Sequence, residues 1–363
     1  MVRTVAALAL LIGFAASGSS ALAQPGPDGF DWVTVGAVNN PAYNGPDPDG
    51  RTAGRGSVSY EYKIGRTEVT TQQWMDFYNS ARSRPDPLGL PIVTPFPWGA
   101  EVDPNYTGPG THYRLKNIAN AGMLPVGGVD WRTCAIFCNW IENGRVTARS
   151  AFTGGVYDTS TFTGGGGVWG DQPAHNPDAH YWIPTLDELI KAAYFDPNKN
   201  GPGQAGWWLY PTRSDTPPIY GPPGSGEANA GFDLPGNGQY MIPLGAYPQT
   251  LSPWGLLDTS GGTTEWTESI LQVDNFRQRR NQGGAWGLGG TIGTDVIYGV
   301  SADFPTDGAT QEGFRLASAV PTPGSTLPLT AALVLVNMRR RRRRHAPPIS
   351  RDGLPLDCVS VPS

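Results

Sequence analysis

Three cysteines in 363 residues are too few to staple a small disulfide scaffold. Two of them, Cys134 and Cys138, stand four apart in "DWRTCAIFCNWIE". On a helix they share a face, where stacked side chains bridge badly, so they read as small buried apolar residues. Histidine is also scarce, at four. His175 and His180 lie in a glycine-rich stretch near Asp171 and Asp178, the one place where a two-histidine, one-carboxylate iron site is conceivable. A spacing of five in a loop fixes no ligand geometry, so they read as solvated. G-x-S-x-G is missing, which removes the usual elbow for a serine nucleophile. The glycine runs carry no following lysine and helix, which excludes a phosphate cradle. Long apolar periodic runs are missing from the interior, and no internal repeat is visible.

What is abundant is glycine (49), proline (35), tryptophan (12) and tyrosine (14). Disordered chains are poor in aromatics, so this composition predicts a loop-rich fold held by ring packing. The length suits one large domain or two ordinary ones.

The two ends read differently from the middle. "MVRTVAALALLIGFAASGSSALAQ" has a basic residue, an apolar stretch and small residues ending Ala21-Leu22-Ala23. It is expected to be a secretory signal over 1–23. At the other end "VPTPGSTLPLTAALVLVNMRRRRRRH" passes from a Pro/Gly hinge through about a dozen apolar residues to arginines 339–344. Residues 319–344 are expected to embed in a membrane with a strong cytoplasmic stop, leaving 345–363 as a tail. An exported chain rarely meets nucleic acid, so none is expected. Without the basic and acidic residues of these ends, 18 basic and 29 acidic side chains remain. That surface suits cations better than phosphates.

Between the ends, "GSVSYEYKIGRTEV" alternates as a strand. "TTQQWMDFYNSA" follows as a helix capped by Thr70 or Thr71, with Trp74, Phe77 and Tyr78 on one face. Asp130 caps a second helix that runs to about Asn143, where Gly144 stops it. Thr185 and Glu188 form a capping box for a third in "YWIPTLDELIKAAYFDP". The segment "GPDPDGR" resembles a calcium loop only superficially, since Gly45 and Gly56 occupy the first and twelfth positions of an EF-hand frame; it is expected to be a turn. Trp254, Trp266 and Trp286 are expected in the core, as are Trp207 and Trp208, although paired aromatics are also common at binding surfaces.

The segments "KIGRTEVTTQQWMDFYN", "LPVGGVDWRTCAIFCNWI", "YWIPTLDELIKAAYFDP", "SPWGLLDTSGGTTEWTES", "RRNQGGAWG" and "GFRLAS" occur in a specific order. Together they resemble the formylglycine-generating enzyme, or sulfatase-modifying factor, family. The resemblance covers roughly 31–318 and implies one α+β, loop-rich, C-type-lectin-like domain. The C-terminal segment is similar to PEP-CTERM sorting signals.

In catalytic members of that family two cysteines follow the Gly-Gly-Ser-Trp segment, bind copper and activate oxygen. A soft Cu(I) ion needs thiolates. At the family's spacing from Gly283-Gly284 the two positions are Leu288 and Gly293, and the leading arginine is Gln282. Copper is therefore not expected, and "NQGGAWGLGGTIG" reads as scaffold. The family's calcium site matches Asp258, Gly261, Thr263 and Glu265 around a tight glycine turn, with hard oxygen donors of the kind calcium takes. A second family calcium site would begin at Asn229, with further ligands around Asn237 to Tyr240. The resulting expectation is an exported, envelope-anchored, non-catalytic binding or structural domain stabilised by calcium. Its partner would be a cell-surface protein or glycan. The alternative is an oxidative enzyme of the same family, in sulfatase maturation or with non-haem iron.

Overall fold

The computed structural model describes residue 26, residues 28–287 and residues 294–320. The expected signal segment, the C-terminal hinge and arginine run, and the positions Leu288 and Gly293 lie outside the described residues. Among the described residues no helix is long and apolar enough to cross a membrane. The described residues belong to a unit ending at Val320.

Three helices form where local signals start them. In α1 (Thr71–Arg82) Thr70 accepts from Gln73 N while the Gln73 side chain reaches back to the cap. In α2 (Trp131–Glu142) Asp130 accepts from Thr133 N at 2.7 Å. The chain leaves α2 through Gly144 at φ 75°. A one-turn helix, α3 (Ser150–Thr153), follows, and then α4 (Leu186–Tyr194), which carries the Thr185–Glu188 box.

Two four-stranded sheets organise the rest. The first contains β1 (Trp32–Val35), β2 (Tyr62–Gly65), β3 (Tyr181–Trp182) and β8 (Ala317–Ala319), in the order β1-β2-β8-β3. Strands from the start, middle and end of the domain thus share one sheet. The second contains β4 (Thr264–Val273), β5 (Phe276–Gln282), β6 (Val300–Asp303) and β7 (Glu312–Gly313), in the order β6-β5-β4-β7. β4 pairs antiparallel with β5 (Glu265 opposite Gln282) and parallel with β7 (Glu265 opposite Gly313). The glycine-rich stretch 161–180 contains a small hairpin, Gly164–Gly165 with Val168–Trp169.

Aromatic rings fill the core as the composition predicts. Trp74 of α1 stacks on Phe137 of α2 at 5.3 Å, and Phe314, just after β7, meets Phe137 edge-on at 5.4 Å. Trp266 and Trp286 are fully buried. Trp254 is half-buried against the core, and Trp207 packs on Phe195 and Tyr43. Trp208 is half-buried beneath the Lys199 ammonium, 4.3 Å from its ring centroid. Cys134 and Cys138 are free and buried in α2, where desolvation pushes both thiols well above their usual range. The 45–51 turn closes on itself, with Asp47 Oδ2 accepting from Thr52 N and Ala53 N.

Candidate functional site

The glycines at 283–287 allow three backbone segments to approach one another. Gly261 N donates to Gly284 O (2.8 Å), Trp286 N to Gly262 O (2.8 Å) and Gly231 N to Ala285 O (2.7 Å). The 284–287 segment is therefore laddered between 229–232 on one side and 260–262 on the other. A Cβ on Gly287 would stand 2.3 Å from Asp233 Oδ1 and 2.5 Å from Asp233 N, so only glycine fits. These glycines serve close backbone packing.

The turn Asp258–Glu265 is organised by protein groups. Arg315 Nε donates to Glu265 Oε2 at 2.6 Å, and Arg315 Nη2 to Glu265 Oε1 at 2.5 Å. Arg315 is fully buried and also donates to the carbonyls of Gly65 and Leu257. Asp258 sits at φ 56° with Oδ2 accepting from Gly245 N at 2.7 Å. Glu68 Oε1 accepts from Thr263 N at 2.8 Å, and its Oε2 is buried without a partner. Desolvation pushes Glu68 well above the carboxylate range, with the Glu265 charge adding, and pushes Asp258 up to about 6.

The turn expected to hold calcium is occupied by protein contacts. Both oxygens of Glu265 are taken by a guanidinium, so the cation balancing this acidic turn is Arg315 itself. Of the four residues expected around calcium, Asp258 and Glu265 are thus engaged by Gly245 N and Arg315, and the amide of Thr263 by Glu68. Asn229, the expected start of a second site, accepts through Oδ1 from Gly262 N at 3.0 Å, tying the two expected calcium segments into one knot. Among the described residues no group of three or more His, Cys, Asp or Glu side chains is placed to hold a metal.

The two histidines go separate ways. His175 stacks on Trp182 at 4.6 Å and bonds Glu268 through Nδ1 at 2.9 Å, whereas His180 bonds Glu142 at 2.8 Å. Asp171 is buried in an ion pair with Arg132 at 2.6 Å.

A cleft of about 300 Å³ opens beside this knot, where the ends of β4, β5 and β6 meet the 45–55 segment. It is lined by Asp49, Arg51, Thr264, Tyr298, Ser301 and Gln311, together with the Gly283 backbone. The Tyr298 wall is held from below. Asp295 accepts from Ser260 Oγ and Tyr220 Oη, both at 2.6 Å, and Ile297 N donates to Leu209 O at 2.8 Å. The far wall rests on Asn281, whose Nδ2 donates to both Asp303 Oδ2 (3.3 Å) and Glu312 Oε1 (3.4 Å). Burial, then the neighbouring Asp303 carboxyl, pushes Glu312 up to about 9, so it holds a proton at neutral pH. Gln282, in the place of the family's arginine, points inward and donates to Tyr194 Oη at 2.9 Å.

Sequence reasoning missed Glu68, Arg315 and the cleft residues. Arg315 carried a usable signal, since it is a charge inside the otherwise uncharged segment "GFRLAS"; Glu68, flanked by Arg66 and threonines, carried none.

An α+β domain with few helices, short strands and long glycine-tied connections around a cleft of mixed lining defines a loop-rich class of fold. The chain belongs to the sulfatase-modifying factor family: the profile described as "Sulfatase-modifying factor enzyme 1-like domain" matches residues 32–320. No curated protein matches the chain. Among solved structures it is similar to CarF, with 19% identity and a TM-score of 0.51, over 80% of this chain and 99% of that one. It is also similar to Treponema denticola variable protein 1, at 16% identity and a TM-score of 0.48, over 80% of this chain and 95% of that one. A third neighbour is PvdO from Pseudomonas aeruginosa, at 16% and 0.42, over 80% and 92%. At such identities the likeness to CarF speaks for the fold alone.

Proposed function

We propose that this chain is a non-catalytic binding module of its family, exported and held at the cell envelope, whose ligand site is the cleft of Arg51, Thr264, Tyr298, Ser301 and Gln311. The observation that carries the reading is the cleft's lining. It offers hydroxyls, an amide and an exposed guanidinium–carboxylate pair, the groups that fix the orientation of a polar ligand. The residue types agree with it: Leu288 and Gly293 stand where catalytic relatives have cysteines, and Cys134 and Cys138 are sealed in α2. The partner is a cell-surface ligand, and the sequence signals at the two ends supply the export and anchoring part of the reading.

The test is retention of the exported chain on isolated envelope polymer. Tyr298→Ala and Gln311→Ala should each reduce retention of chain that melting shows to be folded at the assay temperature; Tyr298→Ala also costs stability, since the ring is half-buried against the core. Unchanged retention in both variants would remove the cleft as the ligand site.

A further inference from the structure

Three arginines gather near one another in an otherwise acidic domain, and one of them, Arg51, lines the cleft. Arg280 Nη1 donates to the backbone carbonyl of Arg51 at 3.3 Å, which lays one guanidinium against the other's chain. Arg51 lines the cleft and donates through Nη1 to Val300 O. Arg55 is close enough for its charge to act on Arg280 and sits between Asp187 (2.9 Å) and Ser269 Oγ (3.5 Å), with its Nε buried and unpartnered.

The acids nearby are largely committed. Asp47 is satisfied by the Thr52 and Ala53 amides, and Asp187 by Arg55 and Gly56 N (2.6 Å). Asp49 is exposed and reaches Arg51 only at 4.0 Å. Among the described residues no carboxylate lies within ion-pair distance of Arg280. Like charges gathered this way repel, and an arrangement with two under-compensated guanidiniums beside a cavity is stabilised by an anion that enters it. In keeping with that, burial and then the charges of Arg55 and Arg51 hold Arg280 below the usual guanidinium range.

We propose that Arg51 and Arg280 form an anion-recognition site at the cleft mouth, and that the ligand is an acidic saccharide polymer. Its carboxylate or sulfate groups would meet the two guanidiniums, and its hydroxyls would meet Thr264, Ser301 and Gln311. The inference rests on the reading of the cleft as the ligand site and adds the charge and class of the ligand. The cleft's hydroxyls and amide favour a saccharide over an acidic peptide: Thr264 Oγ1 donates to Gly283 O and Ser301 Oγ to Asn281 Oδ1, so their remaining lone pairs accept from sugar hydroxyls beside the half-buried Tyr298 ring. Carboxylate and sulfate share the chemistry of bidentate capture, and the experiment separates them.

The exported full chain is titrated with polygalacturonate, dextran sulfate, neutral dextran and polyglutamate at low and high salt. Binding is expected to at least one of the two acidic polysaccharides, weakening with salt, and preference between them identifies the anion. Arg51→Gln and Arg280→Gln should each weaken it about tenfold, the size of a lost charge-assisted contact. Arg114→Gln, at an exposed pair with Glu101 on a distant hairpin, is the control for unspecific charge and should change nothing. If Arg280→Gln fails to fold, Arg280→Lys serves, since it keeps the charge and loses the fork. Equal binding of neutral dextran, full binding by both arginine variants, tighter binding of polyglutamate, or no binding to either acidic polysaccharide would each overturn the proposal. Neutral dextran binding that Tyr298→Ala and Gln311→Ala abolish, with the arginine variants unaffected, would leave the cleft as the ligand site and remove the anion. Acidic-polymer binding indifferent to all four changes would remove both.

Discussion

Arg315 holds both carboxylate oxygens of Glu265 across 50 residues of chain, with neither side chain exposed by more than a few per cent. The pair joins β4 to the segment that follows β7. It also fixes the turn on which the glycine knot is built, because Glu265 sits opposite both Gln282 of β5 and Gly313 of β7.

Removing one partner of a buried pair leaves the other uncompensated, at a cost of about 3–5 kcal/mol. Glu265→Gln is therefore expected to lower stability by an amount of that order in urea unfolding at neutral pH. Because Arg315 already occupies the carboxylate, the wild-type chain should melt at the same temperature in millimolar calcium and in chelator. A calcium-dependent rise of several degrees that Glu265→Gln abolishes would restore the calcium cage.

The glycine knot makes a graded prediction. A Cβ at Gly261, which sits at φ 106°, would lie 1.9 Å from Asn229 Oδ1, whereas one at Gly166 (φ 59°) would meet nothing within 4 Å. Gly261→Ala should cost at least about 2 kcal/mol, combining overpacking with backbone strain, and Gly166→Ala about 1 kcal/mol from the left-handed conformation alone. Chemical denaturation of the two variants side by side checks the order. Equal costs would mean that the knot yields.

These contacts also show where the sequence was legible. Thr70, Asp130 and Thr185 announced their helices because a cap speaks to an amide three residues away. The aromatic faces of α1 and α2 were readable for the same reason, as periodicity is local. The β4–β5 hairpin was not singled out, although β4 is the longest strand, because polar residues on β5 ("FRQRRNQ") mask its alternation. The partners of Glu265 and Asn229 lie 50 and 33 residues away, and no spacing rule connects such positions. Asp258 and Glu265 read as cation ligands because their residue types suit one; that a guanidinium stands against Glu265 depends on a fold that brings Arg315 to it.

Stability should fall as pH rises from weakly acidic to alkaline values. Glu312 is raised from 4.5 to about 9, so across that window the folded chain binds the proton that the unfolded chain has released. The stabilisation is complete below about 4.5 and is lost as pH rises through about 9. Glu312→Gln keeps a donor toward Asp303 and carries no charge. It should match wild type near pH 4, exceed it near pH 8 and flatten the slope between. Parallel pH profiles for the two proteins would show that Glu312 ionises normally.

The domain keeps its family's fold, and we propose that it works by binding, without the family's thiolate copper chemistry. The most direct test is Cu(I) titration of the purified chain together with aldehyde formation on a cysteine-containing sulfatase peptide, with contaminating metal removed. Leu288 and Gly293 offer no thiolate, and Cys134 and Cys138 are buried with raised thiols, so no stoichiometric copper and no aldehyde are expected. One tightly held copper per chain, with aldehyde that increases with enzyme, would contradict the claim.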